Sequence, residues 1–253
     1  MRILCIGDVV GQAACNYLLK NLPKIRRDNN IDFTIVNGEN SAEGNGILPS
    51  CADLLFKCGA DVITTGNHAF KRIEMNDYFD ENEFVLRPAN FHKAAHGRGY
   101  CVVDFGRCEI AVINLIGRVY LSPNDSPFDC VDEILKEIKT PNIIVDFHAE
   151  ATSEKRVMGF YLDGRVSAVF GTHTHVPTAD TCILPKGTAY VTDLGMVGAE
   201  NSVLGCEIDG ATRRIVTNLP SRLVNCQDDI RMDCVILDLD EKLGKVTKIG
   251  RLF

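Results

Sequence analysis

Short apolar runs alternate with longer amphipathic segments through the first part of the chain, and this alternation is the strongest constraint on the fold. A buried strand followed by a helix and another strand is typical of α/β proteins with a largely parallel sheet. We predict three such strands at Ile3 to Ile6, Phe33 to Val36 and Val62 to Thr65. The helices between and after them are predicted at Ala13 to Arg26, Pro49 to Cys58 and Phe70 to Phe79.

The pattern changes after Pro88, where short strands and turns predominate. We predict strands at Gly99 to Phe105, Glu109 to Asn114, Asn142 to Phe147, Val166 to Phe170, Thr181 to Leu184 and Thr188 to Thr192, a helix at Phe128 to Ile138, and a terminal hairpin formed by Cys234 to Leu239 and Val246 to Leu252. The sequence contains no internal repeat and no linker. Residues 1–253 are therefore expected to form one domain, with two packed sheets between outer helices.

Composition excludes several classes of protein. The net charge of -7 provides no basic surface, which argues against binding to long nucleic acid and leaves small nucleotides open. The eleven Cys residues include no C-x-x-C pair and are expected to be free thiols, most of them buried, in a reducing compartment. The sequence has neither a signal peptide nor a run of about 20 apolar residues, so we expect a cytoplasmic protein with no membrane contact.

Polar side chains follow five of the predicted strands, at the point where each strand ends. Ligands bind beyond the carboxyl ends of the strands in open α/β sheets, so these five loops are expected to converge. They carry the candidate residues Asp8, Glu39, Asn40, Asn67, His68, His148, His173 and His175. The set includes four of the chain's six His residues, whereas His92 and His96 lie in a Gly-rich stretch and are expected at the surface.

Each candidate residue also has a purely structural interpretation. Asp8 could form a turn, Asn67 could cap a helix, and His148 could be a hydrogen-bonded core side chain. A purely structural interpretation is less convincing for His173 and His175, because the side chains of alternate residues on an extended chain point the same way and could reach one site. Five coincidences are improbable, and a mixed imidazole, carboxylate and amide set suits Mn, Fe or Zn. Two such ions about 3.5–4 Å apart can clamp both oxygens of a displacement at phosphorus.

These segments resemble those of a known enzyme family. Gly7-Asp8, Gly66-Asn67-His68 and the run from Gly171 to His175 resemble the signature of calcineurin-like metallophosphoesterases. The runs Ile6 to Gly11, Asn37 to Asn40, Arg87 to Phe91, Asp146 to Lys155 and Gly171 to Val176 are similar to bacterial YmdB-type phosphodiesterases, over nearly the whole chain. The wider superfamily has His where this chain has Val10, Asp where it has Glu39, and often an acid where it has Ala69.

The resemblance implies a fold, a site and a reaction. The fold would be a four-layer α/β/β/α sandwich of two mixed sheets flanked by helices. One metal would be bound by Asp8, Asn40 and His175, the other by Asn67, His148 and His173, and Glu39 would bridge them. The metals would be Fe or Mn, with Zn as a further candidate. A hydroxide bridging them would attack a small phosphodiester, with 2′,3′-cyclic nucleotides the leading candidates, and His68 would act at the leaving group.

Several questions stay open at this level. The chain could instead be a phosphomonoesterase such as a protein phosphatase, or a metal-dependent regulatory protein that binds a nucleotide without turnover. The resemblance implies a homo-oligomer, a dimer or tetramer, with the region from Asn201 to Asp229 as a contributor. Arg118 is interpreted as a surface residue and Glu154 as part of a helix starting near Ser153, while Glu150 could orient a ligand or join that helix.

Overall fold

The computed structural model describes residues 1–252, which contain fourteen strands and six helices. The strands are β1 Arg2–Val9, β2 Phe33–Asn37, β3 Val62–Thr64, β4 Val85–Leu86, β5 Tyr100–Asp104, β6 Glu109–Ile116, β7 Ile143–His148, β8 Ala168–Thr172, β9 Cys182–Ile183, β10 Ala189–Val191, β11 Met196–Ala199, β12 Ile230–Met232, β13 Cys234–Asp240 and β14 Lys245–Arg251. The helices are α1 Gly11–Asp28, α2 Pro49–Cys58, α3 Met75–Glu81, α4 Pro127–Glu137, α5 Thr152–Leu162 and α6 Ile208–Thr217. Within residues 1–252, no helix combines the length and apolar character required to cross a bilayer.

The strands form two mixed sheets. In the first, β1, β2, β3 and β4 are parallel neighbours, β11 is parallel to β1, and β12, β13 and β14 add antiparallel pairs. In the second, β6, β7, β8 and β10 are parallel, and β5 and β9 are antiparallel edge strands. Strand–helix–strand connections produce five of the parallel pairs, as the sequence predicts, namely β1–β2, β2–β3, β3–β4, β6–β7 and β7–β8.

Alternation of side chains along the strands produces the layers. Ile3 and Cys5 of β1 face the second sheet in one core cluster, whereas Leu4 and Ile6 pack with α1 and α2 in another. A third cluster joins the outer face of the second sheet to α4 and α5. Every strand residue of β2 is buried, since the central strands are covered on both faces. The result is the predicted α/β/β/α sandwich.

Some elements differ from the prediction. The third helix begins at Met75 rather than at Phe70, because the preceding residues form separate tight turns. In these turns the backbone N–H groups of Lys71 and Met75 donate to the backbone oxygens of His68 and Arg72, three residues earlier, at 2.9 Å and 3.1 Å. The sequence pattern missed β4, β11, β12 and α6. The first three are strands of two to four residues, too short for periodicity to show.

Gly171 of β8 provides a test of the close packing between β8 and the residue that follows β10. An added Cβ would collide with the backbone oxygen of Thr192, which cannot move aside without disturbing the neighbouring strand. We expect Gly171→Ala to lower the free energy of unfolding by about 1–3 kcal/mol, measured by urea denaturation followed by circular dichroism. Gly250→Ala in β14 is the matched control, since no atom lies within 4 Å of its Cβ position. Equal stability of the two variants would contradict the packing described for Gly171.

Candidate metal centre and active site

The carboxyl ends of the parallel strands in the two sheets meet through a buried hydrogen-bond network around Asp146. Its carboxylate accepts hydrogen bonds from Asn37 at 3.2 Å and Thr172 at 2.7 Å, and also from Thr64. Burial raises the pKa of Asp146 to about 6, although these hydrogen bonds and His148 oppose the shift. The network ties β2 and β3 of one sheet to β7 and β8 of the other, and it lies beneath the loops that carry the candidate residues.

Glu39 lies at the centre of these loops. Its side chain is fully buried, and Oε1 lies 3.1 Å from His148 Nε2 and 3.3 Å from His68 Nδ1. Burial by itself would raise the pKa of this carboxyl, but the charges and hydrogen bonds of the two imidazoles outweigh it and hold the pKa well below its ordinary value. Glu39 is therefore a buried carboxylate that depends on nearby positive charge.

Two imidazoles and an amide surround one side of Glu39. His148 Nε2 lies 3.1 Å from His173 Nδ1 and 3.0 Å from Asn67 Oδ1. The ligand atoms of Glu39, His148 and His173 all lie within 4.8 Å of one another, close enough to bind one metal ion. His148 Nδ1 is paired with Thr172 Oγ1 at 2.9 Å, which fixes the ring orientation in the manner common to metal-binding histidines.

The other side of Glu39 is surrounded by Asp8, Asn40 and His175. Asp8 is fully buried, and its Oδ1 has no hydrogen-bond partner among the described residues and lies 3.8 Å from His175 Nε2. Asn40 Nδ2 lies 3.2 Å from His175 Nε2 and 3.2 Å from Glu39 Oε1. Rotation of this amide by half a turn would present its oxygen to the same space, where it could bind a cation.

The electrostatics of the site suit bound cations. Burial raises the pKa of the Asp8 carboxyl. A bound metal ion would offset the free-energy cost of burying the charged Oδ1, which has no hydrogen-bond partner among the described residues. Burial also lowers the pKa of His173, to about 3, so this ring is the neutral ligand that a metal requires. Burial by itself would also lower the pKa of His148. The carboxylates of Glu39, Asp8 and Asp146 have the larger effect and raise the pKa of His148 to about 9. The carboxylates thus draw positive charge into the site, and metal ions fit the donor set.

All eight candidate residues lie together, but the reasoning for two of them was wrong. His173 and His175 are not on an extended chain, because β8 ends at Thr172 and both residues have positive φ, 100° and 63°. The backbone N–H of His173 donates to Asp8 Oδ2 at 3.0 Å, and that of Thr174 donates to Asp193 Oδ2 at 3.2 Å. These bonds hold a strained turn that directs the two rings to opposite sides of Glu39.

Three further contacts support this turn. Asp193 is paired with the buried Lys155 at 2.6 Å, and the backbone oxygen of Leu204 lies 3.0 Å from His175 Nδ1. Glu150 Oε2 lies 2.9 Å from His173 Nε2, so Glu150 contacts a candidate ligand and lies before α5, which begins at Thr152. Sequence reasoning missed Asp193, although it directly follows a strand region as the other candidates do.

The remaining predictions concern residues around the candidate site. Glu154 lies in the first turn of α5, as predicted, and its carboxylate accepts a hydrogen bond from the backbone N–H of Arg118 at 2.9 Å. Arg118, His92 and His96 are exposed, and the eleven cysteines are free thiols, six of them buried. The site opens into a pocket of about 430 Å³ whose far wall is formed by residues 203–225.

Comparisons with known proteins identify the family of this chain. The model of the YmdB-like protein family matches residues 4–252. The chain belongs to this family. It is 46% identical to the 2′,3′-cyclic-nucleotide 2′-phosphodiesterase of Bacillus subtilis, over 100% of this chain and 96% of that protein.

Solved structures show the same fold. A hypothetical protein from Thermus thermophilus matches with a TM-score of 0.94 and 38% identity, covering 99% of this chain and 98% of the other. A phosphatase from Mycoplasma pneumoniae matches with a TM-score of 0.94 and 32% identity, covering 100% and 92%. The family is of the metallophosphoesterase type, whose members use metal ions, and the cluster of Glu39, His148 and His173 is a candidate site for one.

Proposed function

We propose that this protein is a metal-dependent phosphodiesterase that hydrolyses 2′,3′-cyclic nucleotides at the 2′ bond, leaving a 3′-phosphate. The observation that carries the proposal is the buried carboxylate of Glu39 between two groups of metal-binding side chains at the base of a pocket. The activity of the Bacillus subtilis relative, 46% identical over the full chain, supports the choice of substrate. The acidic chain, of net charge -7, also favours a small substrate over long nucleic acid.

In this proposal the candidate residues form two ligand groups that share one carboxylate. Asp8, Asn40 and His175 bind one metal ion, and Asn67, His148 and His173 bind the other, with Glu39 common to both. The proposed donors are nitrogen and oxygen atoms, so Fe or Mn is favoured and Zn is the alternative.

When bound, two metal ions activate water for attack on phosphorus and neutralise charge on the phosphoryl oxygens. The residues of the chain position the reacting groups. His68 Nδ1 lies 3.3 Å from Glu39 Oε1 and faces the side-chain amide of Asn40, so Nε2 is the nitrogen left to face a substrate in the pocket. We assign His68 the task of holding a proton at Nε2 and delivering it to the departing 2′ oxygen.

The proposal is tested by measuring metal content and substrate preference together. The protein is purified without oxygen, its metals are quantified, and turnover of 2′,3′-cyclic AMP, bis-p-nitrophenyl phosphate and a phosphopeptide is compared. We expect about two metal ions per chain, preference for the diesters, and 3′-AMP as the product identified by chromatography. Preference for the phosphopeptide would instead establish a phosphomonoesterase. Two bound metals without any turnover would favour a regulatory nucleotide-binding protein.

The oligomeric state stays a prediction. The region from Asn201 to Asp229 carries several exposed apolar side chains outside the pocket, among them Val216 and Leu219 at 73% and 54% exposure. Such side chains are compatible with a dimer or tetramer formed through this region. Sedimentation velocity of the wild-type protein measures the state directly.

A further inference from the structure

We propose that α6 and the segment 203–206 form the nucleobase subsite of this enzyme, with Ile215 and Arg214 as the residues that select a nucleotide over smaller cyclic phosphodiesters. The inference rests on the proposed function and extends it from the reacting phosphate to the rest of the substrate. It concerns the wall of the pocket that faces the candidate metal ligands.

The pocket has two chemically different walls. One is formed by the polar residues of the candidate metal centre, including Glu39, His68 and His175. The other is largely apolar and includes Val203, Leu204, Ala211, Ile215 and Leu223. A nucleoside cyclic phosphate has the same division, since its phosphate is charged and its base has large apolar faces. The pocket volume of about 430 Å³ lies within the range of small-ligand sites.

One face of α6 forms part of this apolar wall. Ala211, Arg214 and Ile215 line the pocket at spacings of three and four residues, which places them on one side of the helix. Ile215 and its neighbour Val216 are 72% and 73% exposed, but only Ile215 faces the pocket. Arg214 is the only Arg or Lys among the described residues that line it, whereas Arg213 points elsewhere. The side chains facing the pocket are thus suited to a planar ring with hydrogen-bond acceptors at its edge.

The wall is attached to the metal centre by direct contacts. The backbone oxygen of Leu204 lies 3.0 Å from His175 Nδ1. Gly205 packs against Val10, so closely that a Cβ on the glycine would lie 2.6 Å from Val10 Cγ1. Val10 occupies the position where the wider superfamily has a histidine, and here it supports the segment that precedes α6. The distance from the reacting phosphate to the base-binding wall is therefore fixed by the fold.

The experiment compares a substrate with a base and one without. The ratio of kcat/KM for 2′,3′-cyclic AMP to that for glycerol 1,2-cyclic phosphate measures the contribution of the base. We expect this ratio to fall about tenfold in Ile215→Ser, because an apolar contact with the base is lost, and to fall in Arg214→Gln. Val216→Ser and Arg213→Gln are the matched controls, and both should keep the wild-type ratio.

The outcomes separate this inference from the proposed function. An unchanged ratio in Ile215→Ser and Arg214→Gln, with normal turnover of cyclic AMP, would overturn the subsite and leave the function intact. A change of sedimentation coefficient in both Ile215→Ser and Val216→Ser, with an unchanged ratio of kcat/KM values, would assign the α6 face to self-association and would also overturn the subsite.

If no diester is turned over, the proposed function fails, and calorimetric binding of adenosine tests the subsite independently. Weaker binding in Ile215→Ser than in Val216→Ser would support it, and equal binding would overturn it.

Discussion

Glu39→Gln is expected to lower kcat/KM for 2′,3′-cyclic AMP by about 10³-fold or more, because metal ions supply several kcal/mol of charge stabilisation in such reactions. Glutamine nearly preserves the shape of the side chain but removes its negative charge. The buried carboxylate lies 3.1 Å from His148 Nε2, in the centre of the proposed ligands, so both metal ions would lose a shared charged ligand. We therefore expect metal content to fall together with activity.

Metal content and thermal unfolding provide readouts that do not depend on turnover. Addition of Mn²⁺ should raise the midpoint of unfolding of the wild-type protein, because a ligand that binds only the folded state stabilises it, and should raise that of Glu39→Gln much less. Glu43→Gln is the matched control, since Glu43 lies in the same loop but is exposed. A Glu39→Gln variant that retains two metals and most of its activity would rule out the shared-ligand role.

His68→Ala is expected to lower kcat for 2′,3′-cyclic AMP by about 10²- to 10⁴-fold, the usual contribution of a proton donor, while metal content stays at the wild-type level. The reason lies in the position of the ring at the pocket, with Nδ1 engaged by Asn40 and Glu39. The defect should be smaller for bis-p-nitrophenyl phosphate, because p-nitrophenolate is stable without a proton and the departing 2′ alkoxide is not.

The comparison of the two substrates distinguishes proton delivery from a structural role. A misfolded or metal-depleted His68→Ala variant would lose both activities to the same extent, and that result would count against the assignment. His92→Ala serves as the control for replacement of a histidine, since His92 is exposed and lies outside the pocket at the metal centre.

The positions of the candidate residues could be predicted because they depend on a local rule. Strands with helices between them pair in parallel, and parallel strands bring their carboxyl ends to one edge. Asp8, Glu39 and His148 each lie in or just after such a strand, so their convergence follows from the order of elements. The alternating burial of Ile3, Leu4 and their neighbours follows equally from the period of a strand.

Other features depend on contacts that no local pattern contains. The positive φ of His173 and His175 is maintained by backbone hydrogen bonds to Asp8 and Asp193, the first of them 165 residues distant along the chain. The two sheets are joined at the site by the hydrogen bonds that Asn37 and Thr64 donate to Asp146, across 109 and 82 residues of sequence. These bonds select conformations that the local sequence does not favour, so sequence periodicity could not reveal them.

The sequence by itself determined the longer strands, which of their faces are buried, and most of the polar side chains that gather at the strand ends, because apolar periodicity and strand order are local properties. Only the tertiary structure decided how the His173 to His175 turn is shaped, that Glu150 reaches His173, and that α6 faces the candidate metal centre across a pocket. The physical reason is that each of these arrangements is fixed by hydrogen bonds or packing between distant segments, whose approach is known only once the chain has folded.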